Sequence, residues 1–213
     1  FDQDTIAEEF MVQKLVEAYE SYALKENVAV VGSNYVDANS QRIMIPPGKF
    51  NNLPFMERKT LITSGSLMSI NIFDIIGPFR DEFFIDSVDH EYCLRAWTRG
   101  YRNIVVREPV MKHPVGKAKI HFFLGIPFLK IQVSNHSPFR WYFITRNILI
   151  LLKEYFFKDF SWTVCKFFKL CGYVGVMLVY EKNRLQKVQF IFVGIFDAIR
   201  DNTDRNFDIA PDY

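Results

Sequence analysis

Cysteine is scarce and odd in number. Cys93, Cys165 and Cys171 lack paired zinc spacing and cannot close a disulfide framework, which favours a reducing, cytosolic setting. Long apolar runs are also missing. No uncharged stretch reaches the ~20 residues that a bilayer-spanning helix needs, and the longest, 170–180, is about half of that. Integral spanning is therefore not expected. Phe1-Asp2-Gln3-Asp4 has neither the basic start nor the apolar run of a signal peptide. A large excess of one charge is absent too. The net charge of +2 leaves no global footprint for a nucleic acid. Internal repeats and low-complexity tracts are lacking. The chain opens on Phe1 instead of Met, so it reads as a fragment of a longer protein.

What is present is a foldable composition. Hydrophobic residues make up 49% of the 213, and 23% are charged, enough for a core and against disorder. The length allows one domain or one and a half. Apolar spacing near 3.6 over 5–24 predicts an amphipathic helix, with Asp4 or Thr5 as N-cap and Glu8 and Glu9 in its first turn. Residues 28–35 read as a buried strand, 38–54 as a loop with 42–45 as an edge strand, and 71–76 as a short helix. A helix over 89–100 ends at Gly100 and is followed by a strand from 103 that ends near His113.

Two acidic clusters stand out. Asp2 and Asp4 are two apart, so on an extended segment both carboxylates point one way and suit a hard cation such as Mg²⁺ or Mn²⁺. Spacing alone favours the plainer reading, in which Asp4 caps the helix that follows. The second cluster, Phe84-Ile85-Asp86-Ser87-Val88-Asp89-His90-Glu91-Tyr92-Cys93-Leu94-Arg95, gathers carboxylates, an imidazole and a guanidinium at a helix start. Capping and pairing with Arg95 or Arg99 would explain it equally, since Glu91 and Arg95 are four apart. Thr63-Ser64-Gly65-Ser66 offers small residues that could line a cleft, or a bulge in a strand. His90, His121 and His136 have no positional support for a role.

Asp2-Gln3-Asp4, Thr63-Ser64-Gly65-Ser66, Gly77-Pro78-Phe79-Arg80-Asp81-Glu82-Phe83-Phe84-Ile85-Asp86 and Asp89-His90-Glu91-Tyr92-Cys93-Leu94-Arg95 occur in an order that resembles inverting family 2 glycosyltransferases, within them the bacterial rhamnosyltransferase-like branch. The resemblance runs from residue 1 to about 202. It implies an α/β fold, a partial GT-A (nucleotide-diphospho-sugar transferase) domain over 1–117, followed by an α-helical C-terminal extension over 118–213. The half that should hold the nucleotide base is not among these residues, so this chain alone is expected to be inactive. By resemblance, Asp2 and Asp4, with His113 as a third ligand, hold Mg²⁺ or Mn²⁺ on the donor diphosphate. Asp89 aligns with the catalytic base, Asp86 is its rival, and Glu91 matches a positioning or acceptor-binding group. Ser64 and Gly65 resemble the floor of the cleft. Arg95 joins the substrate-binding set, and Arg146, of the Arg146-Asn147 pair, would meet a diphosphate unless it forms a buried salt bridge between helices.

The resemblance implies transfer of a sugar, rhamnose from its dTDP form, to a lipid-linked or polysaccharide acceptor in cell-surface glycan synthesis. Other readings are transfer of galactose, galactofuranose or N-acetylglucosamine, or a non-catalytic remnant that binds a membrane or a partner. From 120 onward Phe and Trp are interleaved with Lys153, Lys158, Lys166, Lys169, Lys182, Arg184 and Lys187. Such helices suit an anionic membrane interface. The expectation is a cytoplasmic protein, peripheral at the inner face of the plasma membrane, able to form homo-oligomers and binding no nucleic acid.

Overall fold

A computed structural model describes residues 2–114, 119–122 and 130–205. The chain is α/β and divides into two compact units, residues 1–79 with 88–134, and residues 80–87 with 135–213. The boundary expected at 117/118 lies outside the described residues, as do 123–129 and the end of the tail from 206.

The first unit is built on one long strand, β5 (Arg102–His113). Strand β2 (Val28–Asp37) pairs parallel along one side of it. The other side is shared by β1 (Ile6–Ala7) near its end and β3 (Phe55–Glu57) near its start, both antiparallel. A short β4 (Leu67–Met68) closes the far edge of β2. Register shifts between Val28 and Val30 let Ala29 and Val30 face one side while Val28 and Val31 face the other. Helix α1 (Met11–Glu20) covers one face through Met11, Leu15 and Ala18, which meet Val31, Ile104 and Met111. The opposite face is covered by α2 (Ile70–Ile76) and α3 (Val88–Thr98) through Ile72, Ile76, Tyr92 and Ala96. A two-stranded ribbon, β6 (Lys119–Phe122) and β7 (Lys130–Val133), follows.

The N-terminal helix starts later than its periodicity predicts. Residues Ile6 and Ala7 pair with Lys112 and Met111, and the Glu8 amide donates to the Val110 carbonyl. The exposed backbone of β5 thus captures a segment that the apolar pattern alone assigns to a helix. Ile6 and Phe10, counted in that pattern, are exposed, and neither Asp4 nor Thr5 is the N-cap, which is Phe10. Residues 42–45 contribute only an isolated bridge, Ile43 to Val36, and no edge strand.

The second unit is three helices, α4 (Pro138–Tyr155), α5 (Phe160–Tyr180) and α6 (Arg184–Ile199). Ser137 and Asp159 cap α4 and α5 by accepting from the amides of Arg140 and Trp162. Trp141, Ile148, Leu170, Met177 and Ile191 form the core. Helix α6 comes close to α4 at Gly194, where a Cβ would stand 2.8 Å from the Tyr142 carbonyl oxygen. Helix α5 is long and apolar enough to cross a membrane by length and composition, with only 17% of its most apolar window buried. Lys166 and Lys169 interrupt this segment, so no uncharged run marks it in the sequence.

Candidate functional site

The first unit brings together three of the residues singled out in the sequence. Asp2, Ser64 and His113 come from a terminal turn, a loop and the end of β5. Thr5 joins them. The Asp2 amide donates to Ser64 Oγ at 3.1 Å, Ser64 Oγ lies 3.2 Å from Thr5 Oγ1, and Thr5 Oγ1 lies 2.8 Å from His113 Nδ1. His113 Nε2 faces Asp2 Oδ2 at 3.7 Å. The turn is closed by the Thr5 amide donating to the Asp2 carbonyl, and β1 docks it on β5 beside His113.

The hydroxyl chain has two polarities. If His113 Nδ1–H donates to Thr5 and Thr5 to Ser64, the Nε2 lone pair faces the Asp2 carboxylate. That polarity makes the pair of donors fit a divalent cation, with Thr5 orienting the imidazole from behind. Asp2 is exposed, whereas the His113 side chain is largely covered and stands edge-on to Tyr35, centroids 5.5 Å apart. Among the described residues no three His, Cys, Asp or Glu groups cluster to hold a metal. Asp4, also exposed, is not part of the cluster. Mg²⁺ commonly takes one or two protein carboxylates and completes its shell with water and phosphate oxygens, so two donors are a workable set.

Ser64 is buried, and its hydroxyl serves the Asp2–Thr5 turn. Gly65 has φ +65°, and a Cβ there would meet Met111 Sδ at 2.6 Å and Met11 Cε at 2.8 Å. Both atoms are the tips of flexible side chains that can turn aside, so it is the left-handed backbone that favours glycine here, and Ser33 Oγ ties down its carbonyl.

Asp89 lies in the first turn of α3, half-buried, and its Oδ1 accepts from the His90 amide at 2.8 Å. Glu91, two residues on, is buried and bound to Arg95 at 3.0 Å. Arg95 also donates to the carbonyls of Ile76 and Pro78 and covers the Tyr92 ring, so it fastens α3 to the end of α2. Pairing at i, i+4, the plainer reading of this motif, is what the structure contains. Cys93 is buried against the Leu61 carbonyl, and burial pushes its thiol up to about 12, which removes it as a nucleophile.

The remaining candidates lie in the second unit. Asp86 has both oxygens bound by Arg140, at 2.9 and 3.1 Å. Arg146 is fully buried and donates to the carbonyls of Glu82 and Thr203, to Asn147 Oδ1 and to the Tyr142 hydroxyl. Among the described residues it forms no salt bridge between helices. Asn147 Nδ2 reaches the carbonyls of Phe83, Ile85 and Asp86 at 2.8–2.9 Å. Together they clamp a loop in which Phe84, Asp86 and Ser87 all have positive φ. Sequence reasoning missed this task, and Thr5, because a lone Thr or Asn carries no spacing signal.

Over 169 residues, 72% of this chain and 52% of the relative, the sequence is 28% identical to the dTDP-rhamnosyl transferase RfbF of Shigella flexneri. The chain spans about half the length of that relative. No protein-family model and no solved structure matches it. The likeness supports a glycosyltransferase relationship.

Proposed function

We propose that the complete protein carrying this chain is an inverting sugar transferase, moving rhamnose from dTDP-rhamnose onto a hydroxyl of a lipid-linked or polysaccharide acceptor. The sugar follows the name of the relative. On this reading the first unit is the acceptor-side part of a GT-A domain. The observation that carries the proposal is the convergence of Asp2, Thr5, Ser64 and His113 at the end of β5.

Asp2 and His113 would hold Mg²⁺ or Mn²⁺, with water and diphosphate oxygens completing its shell. Bound there, the cation would neutralise charge on the leaving diphosphate. Thr5 orients the imidazole through His113 Nδ1. Asp89 takes the proton of the acceptor hydroxyl as its oxygen bonds to the anomeric carbon, while the bond from that carbon to the diphosphate oxygen breaks. One displacement from the opposite face inverts the centre. Glu91 and Arg95 hold the helix that carries Asp89.

Calorimetric titration of dTDP-rhamnose, with and without Mn²⁺, tests the reading. Binding should require the metal, and Asp2→Ala or His113→Ala should abolish or sharply weaken it while the melting temperature holds. Metal-independent binding would overturn the metal site, and no binding in the complete protein would favour a non-catalytic remnant.

A further inference from the structure

Helix α5 is buried along one stripe only. Thr163, Leu170 and Met177 are its buried residues, at heptad spacing, so they share one side facing α4 and α6. Its exposed positions carry Phe160, Phe167 and Leu178 on a flank of that stripe, and Phe168, Gly175 and Val179 opposite it. Phe168 is 68% exposed and Phe160 60% exposed. A water-facing helix should be polar there.

The charges sort just as sharply. Between Phe160 and Tyr180 there is no acidic residue. Glu181 and Asp197, the only acids from 160 to 200, are both buried, Glu181 against Lys187 and Asp197 against Tyr142 and Arg205. Exposed charge over this span is therefore cationic: Lys169, Lys182, Arg184 and Arg200. Helix α6 adds exposed Leu185, Phe192 and Phe196.

We infer that α5 and α6 dock on an anionic lipid surface, with α5 lying in its plane. Phe160, Phe168 and Leu178 enter the acyl boundary, while Lys169, Lys182 and Arg184 lie at headgroup level. Complementary charge selects the occupant, because an apolar surface whose exposed charges are all cationic matches anionic headgroups over acyl chains. Length alone would let α5 span, but Lys166 and Lys169 sit near its middle, where a charge in hydrocarbon is costly. In the plane, both ammonium groups reach water by extending along their stems. This inference does not depend on the transferase reading.

Vesicle co-sedimentation of the full chain tests it, using phosphatidylcholine alone and phosphatidylcholine mixed with phosphatidylglycerol. Binding to the anionic vesicles should be at least about tenfold stronger and should fall with rising salt. Phe160→Ser with Phe168→Ser should weaken it by about tenfold or more at unchanged melting temperature. Lys169→Glu with Lys182→Glu should erase the anionic preference. Bound protein should be released by alkaline carbonate. Equal, salt-insensitive binding to both vesicle types would overturn the inference, as would resistance to carbonate, which means spanning. A dimer dissociated by Phe168→Ser, without vesicle binding, would assign the face to a second copy instead.

Discussion

Thr5 Oγ1 lies 2.8 Å from His113 Nδ1, and this contact joins a terminal turn to the last residue of β5. The imidazole is thereby fixed with its other nitrogen toward Asp2. Thr5→Val keeps the shape and removes the hydroxyl. Loss of such a supporting partner costs about 10–100-fold in metal affinity. Calorimetric titration with Mn²⁺ should show a drop in that range, with little change in melting temperature.

Gly65→Ala should destabilise the first unit. The new methyl collides with Met111 and Met11, and the backbone at φ +65° suits glycine. The Met tips can turn aside, and the left-handed conformation alone costs roughly 1–2 kcal/mol. Denaturant unfolding measures it. A neutral result would mean that the loop relaxes out of the left-handed conformation without cost.

These two positions show where the sequence was legible. The α/β pattern, strand β2, helices α2 and α3 and the long strand toward His113 follow from periodicity and from Gly100 as a stop. The start of α1 did not, because Ile6 and Ala7 obey a tertiary demand, the unpaired edge of β5, over a local preference. Asp2, Ser64 and His113 were singled out by order of motifs, and the fold brings them together. Arg146 looked like a phosphate ligand because burial and carbonyl partners cannot be read from one residue type.

Asn147→Ala should free the loop over 80–87. It removes one amide that serves three carbonyls, on a segment strained at Phe84, Asp86 and Ser87. Leaving such acceptors unmet costs roughly 2–4 kcal/mol. Hydrogen exchange should show lost protection confined first to the residues around 84–88.

Acid should weaken the second unit through His136. Burial, aided by nearby Arg140, holds its pKa below the ordinary 6.5, against the opposing pull of Asp86 and Glu181. Its Nε2 also contacts the Tyr173 hydroxyl at 2.7 Å. A depressed folded value means that the unfolded chain binds the proton first as pH falls. The stabilisation is therefore complete above 6.5 and is lost as pH drops through the lower folded value. Melting temperatures between pH 7 and pH 5 should fall, and His136→Gln should flatten that dependence.

The account turns on Asp89 as the base of a sugar transfer. Its most direct test is Asp89→Asn in the complete protein, following rhamnosyl transfer from dTDP-rhamnose in the presence of Mn²⁺, with donor affinity measured in parallel. The substitution is nearly isosteric and removes the proton acceptor. Turnover should fall by about 10²–10⁴ with donor affinity unchanged. Near-normal turnover with intact donor binding would contradict the assignment.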